Sequence, residues 1–321
     1  MSAATGNPSS AISQRSATSK TLDTGFILLT RIFAAGVGIL LLWIAIIVGI
    51  QAIPAIQTFG LGFITSSTWN PVKDIYGAWP HVYGTLVSAS IALLLALPVG
   101  VGVALFLSED FLPARIQNIL VFVLELLAAI PSVVYGFWGI VVLIPTMRYV
   151  GGLLNRTLGW LPLFALPPGQ TEVTGPGMHV AGVVLAIMIL PIIAAISRDA
   201  LISVAPELRQ AALGLGATRW ETILKIMLPA ASSGIVGGTM LALGRALGET
   251  MAVTMVIGNA KAASTSVLLP ASTIASLLAN EFAEADGLQL SSLMYTALIL
   301  FGLTLLVNVL AEVIVRRFRQ I

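Results

Sequence analysis

Six apolar runs, each long enough to cross a bilayer, constrain this chain more than any other feature of its 321 residues. They are Ile32 to Ile53, Gly84 to Leu107, Ile116 to Ile144, His179 to Ile196, Ala230 to Gly258 and Leu293 to Val315. About 20 consecutive apolar residues cross the hydrocarbon core as a helix, and only helices and closed barrels satisfy every backbone group there. Composition agrees, with 57% of residues hydrophobic and 9% charged, against about 45–50% and 25% in an average soluble domain. The chain reads as an all-α integral membrane protein with six transmembrane helices.

Several chemistries drop out. There is no cysteine, which excludes disulfides, iron–sulfur clusters and thiolate zinc sites. His81 and His179 each open a span, and neither has a second histidine at helical spacing. A metal site needs several convergent ligands, so both read as interfacial or structural, and no cofactor is expected. A formal charge of +2 is too small to point to nucleic acid. The in-span charges do not form the paired nucleophile and base of an intramembrane enzyme, so the chain reads as non-catalytic.

Residues 1–24, rich in Ser, Thr and Ala, read as a disordered cytoplasmic tail. Residues 25–80 hold the first span, too long for a signal-peptide core, and an extracytoplasmic segment. Residues 81–321 form the main transmembrane domain, with a loop at 197–229. Orientation follows from the retention of Lys and Arg on the cytoplasmic side. With the N-terminus inside, Arg15, Lys20, Arg31, Arg115, Arg198, Arg209, Arg219, Lys225, Arg316, Arg317 and Arg319 fall inside, and Lys73, Arg148, Arg156 and Lys261 outside. That count places both termini, and the 197–229 loop, in the cytoplasm. The third and fifth spans are interrupted by Pro131 and by glycines, which a membrane tolerates where neighbouring helices or water satisfy the backbone. The long outer segments 54–80, 146–178 and 259–291 either cap the bundle or dock an external partner.

The cytoplasmic loop reads as two short helices around a glycine turn. Ser203 is placed to cap the first, Pro206 and Glu207 suit its opening turn, and Gly214 and Gly216 end it. Thr218 and Glu221 have capping-box spacing for the second, and Pro229 starts the fifth span. Leu208, Ala211, Ala212 and Leu215 form one apolar stripe, and Trp220, Ile223, Leu224, Met227 and Leu228 another. Helices this short are marginal alone in water. The stripes either pack on each other and on the spans, or protrude into the groove of a partner.

Charges inside spans are expensive and mark function by default. Arg245 and Glu249 are four apart in the fifth span and share a helical face with Gly234 and Gly238. One reading is a buried pair that fixes helix register; the other is that Arg245 offers its guanidinium fork to a passing oxyanion while Glu249 holds it in place. Glu125 has the blander prospect of accepting bonds from backbone or from Arg115, and Glu312 is within reach of Arg316.

The loop also carries a resemblance. Three residues separate Gln210-Ala211-Ala212 from Gly216, and nine separate Gly216 from Ile226-Met227-Leu228-Pro229. This resembles the EAA signature of ATP-binding-cassette importer permeases, with Gln210 in place of its glutamate and one charge fewer. In that family the loop is a coupling helix inserted into a cleft of an ATPase subunit, which the resemblance extends here to Glu207, Gln210, Ala211, Ala212, Gly216 and Trp220. This chain has no phosphate-gripping Gly-Lys-Ser/Thr, since none of Lys20, Lys73, Lys225 and Lys261 follows a glycine, so ATP hydrolysis falls to another polypeptide.

Trp69-Asn-Pro71, Gly84-Thr-Leu86, Glu125-Leu-Leu-Ala-Ala-Ile-Pro-Ser-Val-Val-Tyr-Gly136 and Gly244-Arg-Ala-Leu-Gly-Glu-Thr-Met-Ala252 are similar to the PstC-type permeases of phosphate importers. The resemblance implies the type I ABC importer permease fold and import of inorganic phosphate across a bacterial inner membrane. It implies a heterodimer with a PstA-type sister permease, a PstB-type ATPase dimer and an extracytoplasmic phosphate-binding protein. It also implies a transport role for Arg245 and Glu249. Sulfate, molybdate and phosphonate are alternative cargoes. A secondary transporter needs an ion-coupling site and a channel a filter, and neither signature is visible.

Overall fold

The computed structural model describes residues 17–109 and 111–318, with side chains placed for 23–109 and 111–313. The expected tail therefore lies mostly outside the described residues. The first helix, α1 (Ala17–Phe59), begins inside the stretch expected to be tail and runs through Pro54 rather than stopping before it. Proline removes one backbone bond, a loss that spanning helices tolerate. The chain divides at Ile50 into two units. The helix of the first unit is apolar on every side, with Phe26, Phe33, Leu40 and Trp43 all exposed.

The second unit continues with the short α2 (Gly62–Thr65), α3 (Trp79–Ser108), α4 (Ala114–Ala129), α5 (Ser132–Trp138) and α6 (Ile144–Leu158). It goes on through α7 (Met178–Ile202), α8 (Pro206–Gly214), α9 (Arg219–Thr222), α10 (Leu228–Gly248), α11 (Met251–Val256), α12 (Ile274–Glu281) and α13 (Gly287–Phe318). Among the described residues six helical stretches are long and apolar enough to cross a membrane: Asp23–Phe59, Trp79–Ser108, Ser132–Leu158, Met178–Ile202, Arg219–Gly248 and Gly287–Val313. The six-span expectation holds, and the protein is a multi-pass helical membrane protein.

Two spans are broken where the sequence outline has them continuous. The third is divided at Pro131, where Ile130 is extended (ψ 129°) because the residue before proline avoids the helical region. The run Ile116 to Ile144 is therefore two helices, α4 and α5, and the spanning stretch begins only at Ser132. From α5 the path passes through a π-helical turn at Gly139–Leu143 into α6. The fifth span does not continue to Gly258. It stops at Gly248, Glu249 is extended (φ −68°, ψ 122°), and a separate helix, α11, restarts at Met251.

α7 is the hub, its sides covered by α3, α10 and shorter pieces. Small residues allow close approach: a Cβ on Gly182 would stand 2.5 Å from Cγ2 of Ile91, and one on Gly100 would stand 2.9 Å from Cγ2 of Ile193. The two interrupted helices meet each other, with Gly136 of α5 against Met255 and Ala252 of α11. The breaks thus face protein, where neighbours replace lost backbone partners.

Residues 54–59 and 146–158 of the segments expected outside belong instead to the first and third candidate spans, which end at Phe59 and Leu158; the rest form a packed layer over the α3 start and α7 start. Trp69 Nε1 donates to Glu281 Oε2 at 2.8 Å, the Val267 amide to Leu163 O at 2.9 Å, and the Ile274 amide to Thr85 Oγ1 at 3.0 Å. His179 is tied to Val267 O through Nδ1 at 3.0 Å, and His81 is buried edge-on against Trp69 with centroids 5.3 Å apart. Both histidines lie in the first turn of a spanning helix, as their positions predict.

Gly84 is a tight point of this layer, set against a segment distant in sequence. A Cβ there would stand 2.2 Å from the Ser272 carbonyl oxygen, so backbone meets backbone and neither can yield by a rotamer change. Gly84→Ala is expected to force the 257–273 segment off α3 at a cost of about 1–3 kcal/mol, the range for overpacking. Thermal unfolding of the detergent-solubilised protein should show a midpoint lower by several degrees, and an unchanged midpoint would mean that this seam is not tight.

Candidate functional site

Three features are candidates for a functional site: the α8–α9 loop, the Arg245 cavity and a polar cavity at the opposite end of the bundle. The loop folds as two short helices, with one change at its start. Ser203 ends α7 instead of capping α8, donating from Oγ to Ala200 O at 2.8 Å. Ala205 is the N-cap of α8, without a side-chain bond. At the other end Gly214 is still helical and Gly216 alone takes the left-handed conformation, φ +86°. The Ala217 amide donates to Ala212 O at 3.1 Å and the Gly216 amide to Leu213 O at 3.0 Å, the paired bonds of a Schellman stop. Glycine is required here because a Cβ penalises that conformation.

The capping box forms as its spacing predicts. Thr218 Oγ1 accepts from the Glu221 amide at 3.3 Å, and Glu221 Oε2 accepts from the Thr218 amide at 3.0 Å. Pro229 does not begin a new helix. α9 passes through a π-helical turn, Ile223–Met227, directly into α10, so the second arm of the loop and the fifth span are one continuous helical stretch, Arg219–Gly248.

The two apolar stripes divide between inside and outside. Ala212, Ile223 and Met227 are buried, whereas Leu208, Leu215, Trp220 and Leu224 are exposed, Leu215 to 90%. Glu207, Gln210 and Ala211 are also exposed. An exposed apolar knob at the tip of a rigid, well-capped turn is a surface suited to a groove.

Beneath it, the Glu109 carboxylate is 3% exposed and hydrogen-bonds with Arg209, while Arg219 Nε lies 3.8 Å away. The Arg219 guanidinium stands 4.1 Å over the Phe111 ring. Neither Glu109 nor Phe111 stands out from hydropathy. The signal for Glu109 is charge complementarity, an acidic residue at the end of one apolar run on the same side as a loop bearing Arg209 and Arg219.

α10 carries the second feature. Gly234 packs on Ala200 and Gly238 on Ile196 of α7. Further along α10 the packing gives way to an open cavity of about 760 Å³, lined by Ile192, Gly237, Leu241, Arg245, Asn308 and Glu312. Gly234, Gly238 and Arg245 share a face, as their spacing predicts. Glu249 does not join it, because the helix has ended. No Arg245–Glu249 ion pair forms among the described residues; Glu249 Oε1 instead accepts from the Ala252 amide at 3.2 Å and starts α11. Arg245 is exposed in the isolated chain, although it lies on an apolar spanning helix. Asn308, a polar amide on the last span, shares this cavity and is missed by attention to charges alone. Glu125 is exposed on α4, with no bond to Arg115 among the described residues.

At the opposite end, Glu281 gathers Trp69, Lys261 and Gln289. Burial pushes its carboxyl up, but hydrogen bonds from Lys261 and Trp69 outweigh that and hold it below the usual carboxylate range. These residues line a cavity of about 580 Å³ with Asn259, Ser272 and Asn280. Among the described residues no cluster of His, Asp and Glu could hold a metal.

Residues 96–320 match the family described as binding-protein-dependent transport system inner membrane component. The chain belongs to this family. Similar members include the phosphate transport system permease protein PstC of Mesorhizobium japonicum, 43% identical over 92% of this chain and 90% of its own length. The protein of the same description from Haemophilus influenzae is 42% identical over 91% and 92%. The probable PstC of Methanocaldococcus jannaschii is 35% identical over 84% and 86%.

The fold of this family member resembles a chain of a bacterial alginate ABC transporter crystallised with its alginate-bound periplasmic protein, with TM-score 0.59 and 17% identity over 94% and 97% of the two chains. It also resembles a chain of the inward-facing MetNI methionine ABC transporter, with TM-score 0.52 and 21% identity over 75% and 94%. Both likenesses speak for the type I importer permease architecture.

Proposed function

We propose that this chain is one of two membrane-spanning subunits of an importer of inorganic phosphate, working by alternating access and driven by a separate ATPase. The observation that carries the reading is Arg245, a guanidinium exposed on an apolar spanning helix beside an open cavity. Hydrocarbon is a poor environment for that group, so the face needs either a partner or water. A PstA-type sister permease closing over this face would turn the open cavity into a pathway, with Arg245 presenting its fork of donors to an oxyanion. Glu249 supports the pathway by shaping the helix break beside it.

The α8–α9 knob fits the same scheme. It faces the cytoplasm together with both termini, and Glu207, Gln210, Ala211, Ala212, Gly216 and Trp220 form or position the surface that a PstB-type ATPase dimer grips. Lacking its own nucleotide motif, the chain is the non-catalytic partner. The opposite vestibule around Glu281 receives phosphate from an extracytoplasmic binding protein. The phosphate transport descriptions of the relatives favour phosphate over sulfate, molybdate or phosphonate.

The test is ATP hydrolysis by the complete complex in proteoliposomes. Phosphate-loaded binding protein is expected to stimulate hydrolysis and drive labelled phosphate inward, and sulfate or molybdate should not substitute. Phosphate uptake that persists after deletion of the ATPase would reject the pump.

A further inference from the structure

We propose that Glu109 is a positioning residue that makes the cytoplasmic end of α3 move as one body with the α8–α9 loop, so that displacement of the loop is delivered to three helices rather than two. The proposal rests on the reading of that loop as the ATPase-coupling element.

The covalent connections of the loop are the starting point. α8 follows α7 after a short link, and α9 runs through the π-helical turn into α10. A pull on the loop therefore reaches α7 and α10 along the backbone. α3 has no such connection, although it packs along α7 and α10 in the centre of the bundle. The apolar cluster beneath the loop, Ala104, Leu201, Met227, Ala231 and Ile235, brings the three helices together, but apolar contact is non-directional and makes no bond from α3 to the loop itself.

Glu109 supplies a directional link. It is the residue that ends α3, and its carboxylate is 3% exposed. One oxygen bonds to Arg209 of α8 and the other faces Arg219 of α9 at 3.8 Å. One carboxylate thus ties both arms of the loop to α3. A buried carboxylate without these partners is strongly disfavoured, so the three groups have reason to stay together through any movement. The aromatic residues beside them add to the tie: Phe111 lies 4.1 Å beneath the Arg219 guanidinium, 5.9 Å from the Phe106 ring of α3 and 6.1 Å from the Trp220 ring of α9.

A staple needed only for folding and a transmission strut make different forecasts. In the complete complex, Glu109→Gln keeps side-chain size but loses the charge. With a strut, the ATPase still co-purifies and still hydrolyses ATP, and the phosphate transported per ATP falls by about fivefold or more, the scale of an ordinary coupling between sites. The absence of cysteine permits a second arm. Glu109→Cys with Arg209→Cys should show the same loss, and a bifunctional thiol reagent long enough to replace the Glu–Arg pair should restore the ratio.

ATPase association is read first on the unaltered chain, and no association there sinks both the coupling reading and the strut. With association intact, three results overturn the strut alone: an unchanged phosphate-to-ATP ratio in Glu109→Gln, loss of the ATPase from that variant, or a crosslink that leaves transport stalled.

Discussion

Arg245→Ala is expected to cut phosphate uptake by about 10- to 100-fold, since a charge-assisted hydrogen bond contributes about 1.5–3 kcal/mol and each 1.36 kcal/mol is tenfold in rate. The complex should nevertheless assemble. Within this chain Arg245 is exposed and has no ion pair with Glu249, whose carboxylate is instead occupied by the Ala252 amide. Truncation therefore orphans no buried charge here, and the large penalty of a broken buried pair does not arise within the chain.

Arg245→Lys sharpens the test, because it keeps the charge and loses the planar fork. Labelled-phosphate uptake in vesicles, with sulfate as competitor, should show reduced phosphate transport and weakened anion selectivity. Unchanged kinetics and selectivity in a normally assembled Arg245→Lys complex would remove Arg245 from the phosphate path.

The structure also changes how Arg245 and Glu249 are understood as a pair. Four-residue spacing puts them on one face only if the helix continues, and Glu249 itself ends α10 by bonding forward to α11. That break is hard to read from sequence. Glycines such as Gly244 and Gly248 are common within spanning helices, and a forward side-chain bond leaves no periodic trace. Pro131 is a different case: its missing amide and its restriction of Ile130 are properties of the residue itself, so an interruption is legible in the sequence although its effect on the span boundary is not.

The same contrast holds in the loop. The capping box of Thr218 and Glu221 and the left-handed Gly216 depend on neighbours within a few residues, and spacing suffices to find them. Ser203 has a suitable side chain for capping but is taken up by the end of α7, a competition visible only once that helix has an end. Glu109 stands 100 residues from Arg209 in sequence, and no local pattern links them. Gly84 belongs with Glu109: its motif supports a family likeness, but the Ser272 carbonyl that demands glycine comes from a segment far along the chain.

Leu215→Asp should give the second large effect, at the other end of the machine. Leu215 is 90% exposed in this chain and sits directly before the left-handed Gly216, at the tip of the turn. Its side chain contributes little to folding, so the variant is expected to insert and melt like the unaltered protein. In the proposed assembly its role lies in what covers it. If the ATPase groove buries this knob, a transfer contribution of about 1.5–3 kcal/mol for a leucine is lost and a carboxylate must be desolvated as well, weakening ATPase binding by about 10- to 100-fold or more. Trp220→Ala should weaken binding by less than Leu215→Asp, because that ring also leans towards Phe111 and part of its surface is already covered. ATPase affinity for the purified permease pair, measured with and without nucleotide, reads both variants. Leu215→Asp binding the ATPase as tightly as the unaltered chain would show that the tip of this turn lies outside the groove, and would move the contact to the Gln210–Ala211 side of α8.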